Sequence, residues 1–182
     1  MKYRVLVADP PWPEAKNMSA PTRPGKSREG ARGHYDLFKS FAEVESFPIP
    51  PMADESLLFL WCPPRYHDQG RKVVEAWGFK NTPSPIVWVK VGKSGAPVLG
   101  MGVLLRMAHE EVLIGRRGKP THNHNMRSAI LAPRREHSQK PEELQDAIEA
   151  WTSGPYAELF ARRQRAGWDC FGDQNTLMQE VR

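Results

Sequence analysis

Polar positions almost vanish along Tyr3–Ala8, where Val5, Leu6, Val7 and Ala8 follow one another without a break before the chain meets Asp9-Pro10-Pro11-Trp12. A short continuous apolar run stopped by prolines reads as a strand buried on both faces that ends at a loop. The same pattern predicts strands over residues 56–61, stopped by Pro63 and Pro64, and over residues 86–91, 111–115 and 157–160, with a short edge strand at residues 130–132. Between the second and third of these, Val73, Val74 and Trp77 recur among charged residues and Gly78 follows, which predicts a helix over residues 66–77. A second helix starts at Pro141, with Glu142 and Glu143 complementing the positive end of its dipole and Leu144, Ala147, Ile148 and Trp151 forming its apolar stripe. Residues 39–47 predict a short helix that the prolines after Phe47 must end. Residues 92–108 give no assignment. Strands alternating with helices point to parallel crossover units and an α/β fold with a doubly wound, mostly parallel sheet.

Composition narrows the class without choosing a function. With 182 residues, 40% hydrophobic and 26% charged, the chain is expected to form one soluble domain over residues 1–182. No apolar run is long enough to span a bilayer, and the N-terminus enters a strand directly, so the expected location is cytoplasmic, away from membranes. Cys62 and Cys170 are too few and too far apart for a disulfide scaffold and are expected to be buried thiols. The formal charge of +5 favours an acidic partner, nucleic acid being the commonest.

That charge concentrates in two stretches. Residues 13–34 carry Arg23, Lys26, Arg28 and Arg32, and residues 116–127 begin with Arg116, Arg117 and Lys119. Both are expected to be mobile basic loops that flank one acceptor groove and contact phosphates. His122-Asn123-His124-Asn125 resembles a metal element superficially, but acidic or cysteine partners at ligand spacing are missing, and it is expected to be a polar loop with no metal.

The chemistry centres on the end of the first strand. Because prolines have no N–H, the turn leaves the Asp9 carboxylate and the Pro10 carbonyl as two acceptors close together, which suits an amine. Trp12 offers an apolar face to a flat ring, so a heterocycle with an exocyclic amine, such as adenine, satisfies both features. The other reading of the same residues is a rigid turn with a core tryptophan. Near the far end of the chain, Glu158 stands on a strand end, where an acidic residue can grip a ribose hydroxyl pair.

Asp9-Pro10-Pro11-Trp12 resembles the signature of the permuted adenine-N6 methyltransferases, the MT-A70 family. Phe59-Leu60-Trp61, Glu75-Ala76-Trp77-Gly78-Phe79, Trp88-Val89-Lys90, His137-Ser138-Gln139-Lys140-Pro141, Glu158-Leu159-Phe160-Ala161-Arg162 and Gly167-Trp168-Asp169 follow in the family's order. The resemblance implies a Rossmann-like methyltransferase domain, circularly permuted so that the catalytic strand comes first and the cofactor strand last. It implies S-adenosyl-L-methionine as methyl donor and the adenine N6 amine of DNA or RNA as acceptor. Asp9, Pro10, Pro11 and Trp12 would be catalytic, and Tyr35 would lie near the base. Asp9 and Lys140, Glu158, Phe160, Arg162, Asp173 and Gln174 would hold the cofactor, with Asp173 standing where asparagine is more usual. Acting as a monomer, a homodimer or with a partner subunit all fit this resemblance. Alternatives are an inactive relative that binds nucleic acid, or an amino methyltransferase acting on cytosine or a free nucleotide.

Overall fold

A computed structural model describes residues 1–13, 38–98, 100, 104–134 and 139–172. Its elements are β1 (Tyr3–Ala8), α1 (Phe41–Glu45), β2 (Met52–Cys62), α2 (His67–Ala76), β3 (Lys80–Asn81), β4 (Ile86–Val91), β5 (His109–Arg117), β6 (Ala129–Pro133), α3 (Glu143–Trp151), β7 (Tyr156–Leu159) and β8 (Trp168–Phe171). The strands lie side by side in the order β6, β4, β5, β2, β1, β7, β8, and β3 pairs with β5 outside this row.

β1 is central, parallel to β2 on one side and to β7 on the other. Its unbroken apolar run follows from that position, since both faces are covered. Leu6 and Ala8 face a core built with Val73 and Val74 of α2 and Trp77 just after it, while Val5 and Val7 face a second core built with Leu144 and Ile148 of α3. Leu58 and Leu60 of β2 join the first core and Phe59 and Trp61 the second, each fully buried side chain contributing about 1.5–3 kcal/mol. With helices on both faces of a mostly parallel sheet, the α/β expectation holds.

The crossover expectation holds for strand direction but not for adjacency. β2, α2 and β4 do follow as strand, helix and strand, but β5 lies between the two strands and runs antiparallel to both. β6 is parallel to β4, and β8 is parallel to β7. Several limits also differ from the sequence reading. β2 begins at Met52, because Ala53, Asp54 and Glu55 extend the strand without an apolar signal, and Ser56 there turns its buried hydroxyl onto the Ala53 carbonyl at 2.8 Å. β5 includes Arg116 and Arg117, and β8 had no predicted counterpart.

Gly70, inside α2, shows how closely that helix lies on the sheet. A Cβ there would come within 2.6 Å of Leu113 Cδ1 and 2.7 Å of Cys62 Sγ. The glycine costs about 1 kcal/mol of helix propensity relative to alanine, and the close approach it permits offsets that. Among the described residues no helix is long and apolar enough to cross a membrane.

Candidate active site

The carboxyl ends of β1, β2, β4 and β7 lie at one end of the sheet, together with the amino end of the antiparallel β5. Ala8 is level with Leu60 on β2 and Leu159 on β7, so Asp9 emerges between two parallel neighbours. The alternation along β1 that sends Val5 and Val7 toward α3 sends the Asp9 side chain the same way. Its carboxylate is only 16% exposed, with Lys140 Nζ 3.0 Å from Oδ1 and Arg162 Nη2 3.8 Å from Oδ2.

The turn that follows is held from inside. The Pro10 carbonyl accepts the Trp12 N–H at 2.8 Å and keeps a second lone pair, and the Pro11 carbonyl accepts the Phe38 N–H at 3.0 Å. Trp12 is buried, its indole N–H donates to the Trp61 carbonyl at 3.0 Å, and its ring lies beside Phe41 and Tyr66. The Tyr66 hydroxyl donates to the Pro13 carbonyl at 2.8 Å. The indole therefore belongs to the core, the second of the two readings its sequence allowed, and presents no open face to a base. Its contribution is to clamp the Asp9 turn onto the end of β2.

Across the α3 face of this end runs a row of alternating charge. Lys140, just ahead of α3, reaches down between Asp9 at the end of β1 and Glu110 of β5, with Nζ 3.2 Å from Glu110 Oε2. β2, lying between those strands, contributes Trp61, and the Lys140 ammonium stands 5.4 Å from that ring's centroid. Glu110 Oε1 is held at 2.5 Å by Lys90 of β4. Burial alone would pull the Lys140 ammonium below the ordinary lysine value, but the carboxylates of Asp9 and Glu110 outweigh it and hold it above. Burial likewise works to raise Glu110, and Lys140 and Lys90 together keep it below the usual glutamate value.

Glu158 shares this face one strand further on, level with Val7. Burial pushes its carboxyl up to about 7; the hydrogen bond from Gln145 opposes that, Asp9 adds to it, and Arg165 opposes it from a distance. Gln145 of α3 donates to Glu158 Oε2 at 3.3 Å, while its own carbonyl oxygen is shut off from water with no hydrogen-bond partner. Phe160, the residue after β7, sits at φ 64°, a left-handed conformation that costs a non-glycine residue about 1–2 kcal/mol. It turns the chain sharply, packing its ring on Phe38 and Phe47 on the α1 side and leaving Ala161 to bond back to Phe171.

Asp9, Lys140, Glu158 and Arg162 are thus brought together, with the Phe160 ring turned to the opposite, α1 side, whereas Arg116, Arg117 and Lys119 are not. β5 runs antiparallel, so its amino end meets the site and its carboxyl end, with Arg117 opposite Ser56, lies at the opposite end of the sheet. Arg117 there donates to the Trp77 and Gly78 carbonyls and covers the Phe79 ring. The expected mobile loop at residues 116–127 is pinned to α3. Thr121 accepts from Thr152, Asn123 donates to the Ala150 carbonyl, and His122 stacks on Trp151 with centroids 4.3 Å apart. Tyr35, Arg23, Lys26, Arg28, Arg32, Asp173 and Gln174 lie outside the described residues, as does nearly all of the loop at residues 13–34.

Sequence reasoning missed Glu110 and Gln145 and saw Lys90 only as part of a motif. Glu110 lies at the head of a predicted strand, and an antiparallel reading of that strand was the one signal that would have found it.

Several known proteins are similar to this chain. A family model described as MT-A70 matches residues 3–174. A putative N(6)-adenosine-methyltransferase MT-A70-like protein of Medicago truncatula is 30% identical over 179 residues, which is 95% of this chain and 26% of that protein. The catalytic subunit METTL3 of the human N(6)-adenosine-methyltransferase is 28% identical over 180 residues, 95% of this chain and 28% of its own length. The type II methyltransferase M.MunI of a Mycoplasma species is 30% identical over 187 residues, covering 94% of this chain and 77% of that protein. The chain spans about a quarter of the plant relatives it matches and about three quarters of the bacterial one.

Proposed function

Since the chain belongs to the MT-A70 family, we propose that it transfers a methyl group from S-adenosyl-L-methionine to the exocyclic N6 amine of adenine in nucleic acid. The observation that carries this reading is the Asp9 carboxylate, largely buried at the carboxyl end of the central strand and paired with Lys140 and Arg162. Ligands of open α/β sheets bind at such strand ends.

The residues present fit the donor. Glu158 and the unpaired Gln145 carbonyl oxygen form an acceptor-rich pair short of donors, which suits the two hydroxyls of a ribose. Lys140 and Arg162 are the cations at hand for a carboxylate. S-adenosyl-L-methionine supplies an electrophilic methyl on a sulfonium, which loses its charge as the S–C bond breaks and the N–C bond forms. Asp9 and the remaining lone pair of Pro10 would accept the two N–H groups of the adenine amine and turn its nitrogen lone pair toward the methyl. The proton the amine sheds passes to Asp9 or to water. Positioning and fixed charge supply the acceleration, since the chemistry asks for no other group.

Phosphates of the acceptor would meet the basic residues that do surround this end of the sheet. Lys93 follows β4, Arg134 follows β6, and Arg106 lies on the return toward β5, all exposed. They take the part first assigned to Arg116, Arg117 and Lys119.

The test is transfer of labelled methyl from donor to DNA and RNA oligonucleotides, with the product nucleoside identified by mass spectrometry. N6-methyladenosine or its deoxy form is expected, and Asp9→Asn should lower the rate by at least about 100-fold with the fold intact. Methylated cytosine, or no transfer to any polymer, would refute the reading.

A further inference from the structure

Lys90 is a charge at the site that the methyl transfer does not itself use. The transfer proposed above asks Asp9 to loosen its hold on Lys140 when it accepts the adenine amine. An ammonium released over Trp61 in a largely buried place would be costly unless a second carboxylate kept it. Beside the donor's own carboxylate, Glu110 is the carboxylate that the protein itself supplies, at 3.2 Å from Lys140 Nζ, and its other oxygen is already fixed by Lys90 at 2.5 Å. Lys90 is fixed in turn, its ammonium 5.0 Å from the Trp88 ring centroid, and the Trp88 indole N–H is anchored on the Ala132 carbonyl. Both lysines lean on tryptophans, and Glu110 spans the gap between them.

We propose that Lys90 is a positioning residue for methyl transfer, acting through Glu110 to keep Lys140 seated beside Asp9 while Asp9 engages the acceptor. It rests on the functional reading above and extends it to a residue three contacts away from Asp9, through Glu110 and Lys140. The competing role for a lysine near the basic rim is a phosphate contact. Against that role, the Lys90 side chain is only 23% exposed and its ammonium is committed to Glu110. Glu110, held below the usual glutamate range by Lys140 and Lys90 against burial, stays an anion under this arrangement.

The test compares wild type, Lys90→Gln, Lys90→Arg, Glu110→Gln and the Lys90→Gln/Glu110→Gln double variant in methyl transfer to one oligonucleotide. Lys90→Gln should lower kcat about tenfold, the loss expected for one charge-assisted bond, with acceptor KM and its salt dependence unchanged. Lys90→Arg should recover most of the rate. The double variant should be no slower than Glu110→Gln, because both substitutions cut the same chain. With one cation gone, the acid limb of the kcat profile should move to higher pH in Lys90→Gln only. Fully additive losses in the double variant, or a salt slope reduced by about 0.7 in Lys90→Gln, would make Lys90 a phosphate contact and overturn the proposal. The Lys140 ammonium resonance in lysine-labelled protein, recorded with an adenine oligonucleotide and S-adenosyl-L-homocysteine bound so that Asp9 is engaged, decides the same point without turnover. It should be protected from exchange in wild type and Lys90→Arg and lost in Lys90→Gln. Its persistence in Lys90→Gln overturns the proposal, whereas a wild type that transfers no methyl overturns only the functional reading.

Discussion

Replacing Glu158 by glutamine should stabilise the donor-free protein and weaken its grip on the donor. Burial first, and the negative charge of Asp9 as well, push this carboxyl from 4.5 up to about 7, against the bond from Gln145 and the charge of Arg165. The folded protein therefore holds this proton more tightly than the unfolded chain does. The stability tied to Glu158 is complete below pH 4.5 and is lost as the pH rises through about 7. At about 1.36 kcal/mol per pH unit that interval caps the loss near 3 kcal/mol, and residual solvent access leaves an effect of about 1–3 kcal/mol. Glutamine does not titrate, so urea unfolding of Glu158→Gln and wild type should agree at acid pH. The two should separate between about pH 5 and pH 8, with the variant the more stable. Donor binding followed by calorimetry at about pH 8 should move the opposite way, weakening about 10- to 100-fold as the charged acceptor for the ribose hydroxyls is lost. Wild-type affinity should itself tighten about tenfold from pH 6 to pH 8 as the carboxylate becomes the resident form. Parallel stability curves for the two proteins would refute the buried-carboxyl argument, and an unchanged donor affinity would remove Glu158 from the cofactor site.

Other substitutions probe the frame and the rim. Trp12→Ala should cost about 3–5 kcal/mol in urea unfolding, because the indole is buried and its N–H holds the Trp61 carbonyl; a stability within 1 kcal/mol of wild type would return Trp12 to the surface of the site. Gly70→Ala should destabilise by about 1–3 kcal/mol despite its better helix propensity, since the new methyl meets Leu113 and Cys62, and a rise in melting temperature would contradict the close approach of α2. Replacing Lys93, Arg106 and Arg134 together with alanine should flatten the salt dependence of oligonucleotide binding, by about 0.7 for each phosphate of a single strand that is no longer neutralised. The same change at Arg116, Arg117 and Lys119 should leave it intact. The reverse result would place the acceptor at the opposite end of the sheet.

What the sequence determined by itself was local. The buried run Tyr3–Ala8, its stop at the prolines, the carboxylate of Asp9 at that stop, and the apolar stripe of α3 all follow from neighbours a few residues apart, where periodicity and proline chemistry leave little choice. The family motifs were legible for the same reason. The direction and order of the strands were decided only by tertiary structure, because an apolar run records that a segment is buried and not which strand lies beside it or which way it points. One such fact, β5 running antiparallel between β2 and β4, brought Glu110 into the site and carried Arg116 and Arg117 to the other end of the sheet. Trp12 depended on a contact of the same kind, a hydrogen bond to the carbonyl of Trp61 across 49 residues of sequence, and only the pairing of β1 with β2 brings that carbonyl within its reach.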